Sequence, residues 1–407
     1  MTRTRVTILA IGLAAAVVAG AAGASPAADP GLTASSILIG GTAPLSGEAS
    51  SAAAVARGAE AYFKYVNARG GVNGRRITYK YVDDGYDPGR TVQAVRQLVQ
   101  QDRVFALFNT LGTANNLAIR DFLNSEKVPQ LFVASGYTAW GSDARRYPWT
   151  IGYIPSYLSE GTVYGRHLVK TKPGAKIGVL YQNDDYGKDL LNGLRKGLGP
   201  KAGQIVKAVA YDPTSTNVDS QVAELKGTGA NTFVVFAFGK FAIQAFIQAN
   251  RLGWRPQIYV NAVSASSNLL TLATQTSSKK TTTGAISIVF AKDPADPSWA
   301  GDPGIKLFEQ IMKRYVPGGN LKDGYYSAGM ASAFTLVDTL KKAGKNLTRQ
   351  TVLKASANLN EANNPFLLPG IVVKTGPSDR FPVEQMQLER WSGTRWTRFG
   401  GLVTAKS

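Results

Sequence analysis

An α/β fold of two doubly wound lobes is what this sequence predicts, on three observations. Short apolar runs alternate singly with amphipathic helical stretches, and strands separated by one helix pair in parallel through right-handed crossovers. The alternation runs twice in series, over residues 37–108 and again over 177–260, so two lobes of one architecture are expected. A length of 407 residues also exceeds what one hydrophobic core serves, which agrees with a division in two.

The elements follow in order. Arg3 and Arg5, the apolar stretch from Ile8 to Val18 and the site at Ala22-Gly23-Ala24 read as a secretory signal peptide over residues 1–24, cleaved after Ala24 or Ala28. That stretch runs into Gly, Ala, Ser and Pro without a stop signal, which argues against a membrane anchor. In the first lobe, 37–39 is a short apolar strand, 42–46 a turn, and 52–67 a helix stopped by Gly70-Gly71. Residues 77–82 alternate as a strand, Asp87-Pro88 opens a helix through Gln100, and 104–108 is a buried strand. The Pro- and Gly-containing stretch "RRYPWTIGYIPSYLSEG" (145–161) is the expected first crossing between lobes. The second lobe repeats the rhythm, with strands at 177–181, 205–210, 232–236 and 257–260 and helices at 187–198, 218–226 and 241–251.

Composition removes several kinds of chemistry. Cysteine is absent, so there are no disulfides, no thiolate metal sites and no cysteine nucleophile. The lipidated cysteine that tethers an exported protein is missing as well, and the expected location is a periplasm. The single histidine, His167, sits in the helical stretch "EGTVYGRHLVK" and reads as a packing residue; zinc sites and Ser-His triads lack parts. "APLSGE" is not the G-x-S-x-G elbow, and "GLGPKAG" (197–203) follows a helix rather than a strand, so it is a helix stop. The formal charge is +19, two fewer without Arg3 and Arg5, yet Lys and Arg are scattered singly or in pairs with no basic helix or arm. Nucleic acid is therefore not the expected partner. A basic surface instead favours anionic ligands or an acidic docking partner.

One carboxylate pair keeps an enzyme in view. In "YQNDDYGKDLLNGLRKGL" (181–198), Asp184 and Asp185 stand beside a tyrosine. They are adjacent residues at a helix start, where aspartate satisfies free N–H groups and complements the helix dipole, so capping is preferred over catalysis. Asp87 before Pro88 has the same explanation. No enzyme activity, cofactor or metal is expected.

In open parallel α/β sheets a ligand sits off the carboxyl ends of the strands. The loops there are "GTAPLSG" (41–47), "DDGYDP" (83–88), "FNTLGT" (108–113), "VASGYT" (133–138), "YQNDDYG" (181–187), "FAFGK" (236–240) and "VNAVSASSN" (260–268). They are small, hydroxylated or aromatic, which suits gripping a small amphipathic molecule.

At these loops the chain resembles the type I periplasmic solute-binding proteins of ABC importers, specifically the leucine/isoleucine/valine-binding family. The likeness is carried by "IGGTAPLSGEASSAAAVARGAEAYFKYVNARGGVNGRRI", "DDGYDPGRTVQAVRQLV", "VPQLFVASGYT", "KIGVLYQNDDYGKDLLNGLRKGL" and "DGYYSAGMASAFTLVDTL". It implies two Rossmann-like lobes joined by a three-crossing hinge, with lobe 1 at 32–155 plus 289–367 and lobe 2 at 156–288 plus 368–401. It further implies a ligand carboxylate held by hydroxyl and N–H groups of lobe 1, on Thr110, Gly112, Thr113, Ser135, Gly136 and Thr138, with Ser46 nearby. Tyr186 of the D-Y-G loop would cover the ligand, joined by the rings of Tyr86, Phe238 and Tyr325; Tyr137, Trp140 and Tyr153 are further rings near the cleft.

One departure matters. The family's acid for a ligand ammonium group is missing from "VNAVSASSN", where Ala262 stands near its place. Either Asp83, Asp84 or Asp87 substitutes, or the ligand has no α-amino group and is an aromatic or other apolar carboxylate. The implied function is capture of a branched-chain amino acid or related small carboxylate by hinge closure, and delivery to an ABC permease by a monomeric protein. A ligand-sensing component of a signalling system is the alternative.

Overall fold

The computed structural model describes residues 1–2 and 28–405; the expected signal peptide lies outside the described residues apart from its first two. Described elements run β1 (Ser36–Ala43), α1 (Ala53–Asn67), β2 (Arg76–Asp83), α2 (Pro88–Arg96), β3 (Ala106–Phe108), α3 (Thr113–Ser125), β4 (Gln130–Val133), α4 (Ala139–Ser142) and β5 (Thr150–Gly152). The five strands form one parallel sheet in the order β2-β1-β3-β4-β5. Then come α5 (Tyr157–Thr171), β6 (Ile177–Gln182), α6 (Asp185–Leu198), β7 (Ile205–Tyr211), α7 (Asp219–Gly227), β8 (Thr232–Phe236), α8 (Lys240–Arg251), β9 (Gln257–Val260), α9 (Ser267–Thr276), α10 (Lys279–Thr282) and β10 (Ile286–Val289). The chain closes with α11 (Pro303–Tyr315), α12 (Gly324–Ala343), α13 (Arg349–Ser356), the short ribbon β11 (Asn360–Glu361) and β12 (Val373–Lys374), and the hairpin β13 (Gln385–Trp391) and β14 (Trp396–Thr404). The second sheet has the order β14-β13-β10-β9-β8-β6-β7, parallel from β10 to β7, with β13 and β14 added antiparallel at one edge. The fold is therefore α/β in two lobes, as the alternation of runs predicts.

Sheet membership traces three passages between the lobes. The chain leaves the first sheet after β5, leaves the second after β10, and returns to the second between β12 and β13. Between the last two passages α11, α12 and α13 pack on the first lobe: Phe308, Met312, Tyr326, Leu336 and Val352 share a core with Ile37, Phe63 and Phe108.

Two helix pairs set the walls of the cleft, and both need glycine. A Cβ on Gly329 of α12 would come within 1.9 Å of the Val55 carbonyl, so α12 lies directly against α1. A Cβ on Gly193 of α6 would meet the Leu158 carbonyl at 2.3 Å, which brings α6 against α5. Backbones approach this closely only where side chains are absent.

Strand β1 departs from expectation. Residues 42 and 43, read as turn, continue the strand to Ala43. Gly40-Gly41 looked like a strand end because glycine is depleted in strands. Here Gly41 lies beneath Tyr79, where a Cβ would meet both the Phe108 carbonyl and the Tyr79 hydroxyl at 2.7 Å. Helix α2 passes directly into a π turn at Gln97–Gln101, so the helical run covers the expected end at Gln100.

Candidate functional site

A cavity with about 1170 Å³ of empty space, its mouth included, lies at the carboxyl ends of the strands, where both lobes meet. The first lobe contributes Ala52, Val55, Tyr86, Asn109, Leu111, Gly112, Thr113 and Ala134, and the first crossing adds Tyr153 and Ile154. From the second lobe come Tyr157, Tyr186, Phe238, Ala262, Val263, Ser266 and Ser267. The remaining wall is Ile288 to Asp293, then Tyr325, Ala328 and Ser332 of α12, and Glu389 and Trp396 of the C-terminal hairpin.

Six of the expected site residues thus share one cavity: Tyr86, Gly112, Thr113, Tyr186, Phe238 and Tyr325. Tyr86 holds a left-handed backbone (φ 64°), uncommon for a bulky residue and worth reading as a functional constraint. Its ring meets Phe238 of the other lobe at 5.1 Å. Gly112 precedes α3 with φ 104°, and a Cβ there would strike Asn115 at 2.4 Å and the Tyr86 ring at 2.9 Å. Glycine is therefore required at this corner, and the N-terminus of α3 opens on the cavity. Tyr186 is only 2% exposed; its ring stands edge-on to Tyr157 at 5.0 Å. With the Asn261 amide turned so that its nitrogen faces backbone carbonyls, its oxygen accepts from the Tyr186 hydroxyl at 2.9 Å. The Tyr325 hydroxyl donates to the Val263 carbonyl across the cleft at 2.8 Å.

Five expected residues lie outside the cavity wall. Ser46 donates to Asp83. The Thr110 hydroxyl accepts from the Thr42 N–H at 3.3 Å. Ser135 shares a 2.7 Å hydrogen bond with the Thr113 hydroxyl and accepts from the Trp140 indole at 3.0 Å, so it orients a wall residue from behind. Gly136 lines a separate, small pocket with Tyr137 and Trp140. Thr138 joins the lobes: its N–H and hydroxyl both donate to Asp189 of α6, at 2.9 and 2.8 Å. A Glu48–Lys240 ion pair of 2.7 Å spans the same cleft.

The acids sort by what holds them. Asp184 accepts from the Gly187 N–H at 3.1 Å and from Gln182 at 2.7 Å, which is the capping role expected of it. Asp87 caps α2 through the Arg90 N–H at 2.7 Å. Asp83 is occupied by Leu45, Ser46, Gly85 and Arg90, and Asp84 by Tyr86, Thr91 and Asn115. None of Asp83, Asp84 and Asp87 reaches the cavity wall, so the substitution considered for a missing acid is not made by them. Near Ala262 there is an acid after all, supplied by α5: Glu160, 2% exposed, accepts from the Ala262 N–H and the Tyr164 hydroxyl, each at 2.7 Å. Burial pushes its carboxyl up to about 7. His167 bonds the Tyr259 hydroxyl at 2.7 Å through Nδ1, a satisfied helical position.

Sequence reasoning missed the polar end of the cavity, formed by Asp293, Glu389 and Trp396. Ser266 and Ser267 beside them lay within the quoted loop 260–268 but were not singled out. Asp293 accepts hydrogen bonds from the Ser267 hydroxyl and from the Ala295 N–H. Among the described residues no group of three or more His, Cys, Asp or Glu is placed to hold a metal ion.

Comparison with known proteins agrees with this architecture. A model of the periplasmic binding protein family matches residues 36–395. The chain is 26% identical over 196 residues to Leu/Ile/Val-binding protein homolog 2 of Brucella abortus (strain 2308), a match covering 48% of this chain and 52% of that protein. The chain thus spans about half the length of this curated relative. The fold is shared with a branched-chain amino acid ABC transporter protein of Thermus thermophilus with bound valine, at TM-score 0.78 and 19% identity over 91% of this chain and 96% of that one. It is shared equally with a fatty acid ABC transporter substrate-binding protein of Thermomonospora curvata, at TM-score 0.76 and 21% identity over 93% and 95% of the two chains. The chain belongs to the periplasmic binding protein family, in its type I, leucine/isoleucine/valine-binding branch.

Proposed function

We propose that this protein is the solute-capturing component of an ABC importer, working in the periplasm as a monomer that hands its ligand to a membrane permease. The observation that carries the reading is the cavity itself: its walls come from both lobes, and Tyr86–Phe238, Tyr325–Val263 and Thr138–Asp189 tie the lobes across it. Contacts made only when the lobes are together supply the bias for closure on a ligand. The moving bodies are 32–155 and 156–288 with their C-terminal additions; sheet membership and the packing of α11 to α13, Leu368, Ile371 and Val373 in the first-lobe core support a last boundary between β12 and β13, later than the expected 367/368. No helix among the described residues is long and apolar enough to cross a membrane.

The ligand is a small carboxylate with an apolar body. Gly112 and Thr113 place the N-terminus of α3 at the cavity, where free N–H groups and the helix dipole favour an anion. Tyr86, Tyr157, Phe238 and Tyr325 supply apolar and aromatic surface for the body. The two structural neighbours named above, one with valine and one assigned to fatty acids, bracket that class. Turnover is not part of the reading, because the acids outside the polar end of the cavity are committed to caps and backbone N–H groups.

The test is to purify the protein natively, denature it and identify released small molecules by mass spectrometry. A stoichiometric carboxylate, recovered unchanged after incubation with stripped protein, is the expected result. Conversion of that solute, or binding only of molecules without an acidic group, contradicts the proposal.

A further inference from the structure

The polar end of the cavity contains a buried acid without a partner. Glu389 lies on β13, opposite Ser287 of β10 and beside Arg398 of β14, and is 4% exposed while still forming part of the cavity wall. Among the described residues its carboxylate takes part in no hydrogen bond or ion pair. Burying such a group without compensation is costly, so a partner is to be sought in whatever enters the cavity.

The two nearby cations are spent elsewhere. Arg398 pairs with Asp296 at 3.5 Å, donates to Ser298 at 2.9 Å and lies over the Trp299 ring at 4.0 Å. Lys292 donates to both oxygens of Asp302, at 2.8 and 2.9 Å. Asp293, in the same wall, accepts only from the neutral Ser267 hydroxyl and the Ala295 N–H. Two carboxylates therefore face the cavity with no cation of the protein assigned to either.

We propose that Glu389 and Asp293 form a cation-recognising subsite that takes a positively charged nitrogen of the ligand, an ammonium or guanidinium group. This deepens the solute-binding reading and rests on it. The counter-charge then comes from the C-terminal hairpin and the segment after β10, beside the 260–268 loop, whose Ser267 hydroxyl donates to Asp293. The ring of Trp396 forms the adjoining wall, and an indole beside a cation adds to the preference for positive charge.

The subsite carries a pH signature. Burial, then the charges of Asp293 and Asp296, push the Glu389 carboxyl well up, against the opposing influence of Arg398. Burial raises Asp293 as well, with Asp296 adding to it, and Asp323 on the approach to α12 is raised by burial and by Asp293. Lys292 faces the same wall but is neutralised by Asp302. Proton uptake by these carboxyls opposes the binding of a cation, so affinity for a cationic ligand rises with pH as they ionise.

The experiment compares matched probes that differ only in an amino group: 4-methylpentanoate with L-leucine, 3-phenylpropanoate with L-phenylalanine, and hexanoate with 6-aminohexanoate. Binding to full-length wild type and to Glu389→Gln is measured by calorimetry from about pH 6 to about pH 8. In the wild type the amino member of at least one pair binds more tightly and gains affinity as pH rises. Glu389→Gln lowers its affinity about tenfold or more and flattens the pH dependence, while the amino-free partner changes by less than about twofold. Equal binding of both members, or equal weakening of both by Glu389→Gln, overturns the subsite while leaving the cavity as a carboxylate site. Binding of no probe and of no co-purified solute overturns both readings. If Glu389→Gln does not fold, Asp293→Asn and the wild-type pH series carry the same comparison, and a flat series contradicts the proposal.

Discussion

Tyr186 illustrates how a single residue can be both wall and structure. It lines the cavity, yet it is almost wholly buried, with its hydroxyl engaged by Asn261 and its ring against Tyr157. Truncation to alanine removes a large apolar face that ligand and both neighbours share. Tyr186→Ala is expected to weaken ligand binding roughly tenfold or more while thermal unfolding stays cooperative; unchanged affinity by calorimetry would remove the tyrosine from the site. This position was legible in the sequence because it lies off the carboxyl end of a strand and in the D-Y-G motif. Tyr86, Gly112, Thr113 and Phe238 likewise lie in strand-end loops, whereas Tyr325 was reached only as a ring in the stretch "DGYYSAGMASAFTLVDTL", which forms α12. Glu389 was not legible for an equally physical reason. In the alternating run "QMQLERW" a charged residue reads as the solvent face of an edge strand. Only the packing of distant segments, among them the loop after β10, turns that face inward. Ser135 and Thr138 were found as site residues but act one step away, through Thr113 and Asp189.

At the scale of elements, helix α5 is the pivot of the second lobe's wall. Its glycine contact with α6 holds Tyr157 against Tyr186, and its Glu160 fastens the Ala262 loop after β9. The helical spans themselves followed from periodicity and caps. The closeness of α5 to α6 did not, since glycine inside a helical stretch lowers propensity without revealing what it packs against. Glu160 predicts a pH effect with a definite sign. Its carboxyl is raised from 4.5 to about 7 by burial, so the folded state binds more protons than the unfolded state between those values. Stability from this group is full below about pH 4.5 and falls as pH rises toward 7, by roughly 3 kcal/mol at most. Urea unfolding across that interval should show the wild type losing stability with rising pH and Glu160→Gln losing less. Identical slopes would show that Glu160 is not held as described.

At the scale of the whole molecule, the repeated alternation of strand and helix was enough to expect two lobes, and the loops at the strand ends were enough to expect a cleft. The extra strands β10, β13 and β14 were not individually expected. They complete the second sheet with segments that return after α10 and after the first-lobe helices, and chain reversals of that length leave no local signature. Their consequence is functional, because they carry the polar end of the cavity. The lobes in this structure are in contact through Thr138–Asp189, Glu48–Lys240 and Tyr325–Val263, the arrangement expected of a closed jaw. These three contacts are polar; beside them the Tyr86–Phe238 rings and the cluster that joins Ala52 and Leu111 to Tyr157 and Tyr186 also part when the lobes separate. Small-angle scattering from protein stripped of solute, before and after adding back the solute it releases, tests capture by closure most directly. The account predicts a smaller radius of gyration on addition, saturating at one solute per chain. An unchanged radius at saturating solute would contradict it.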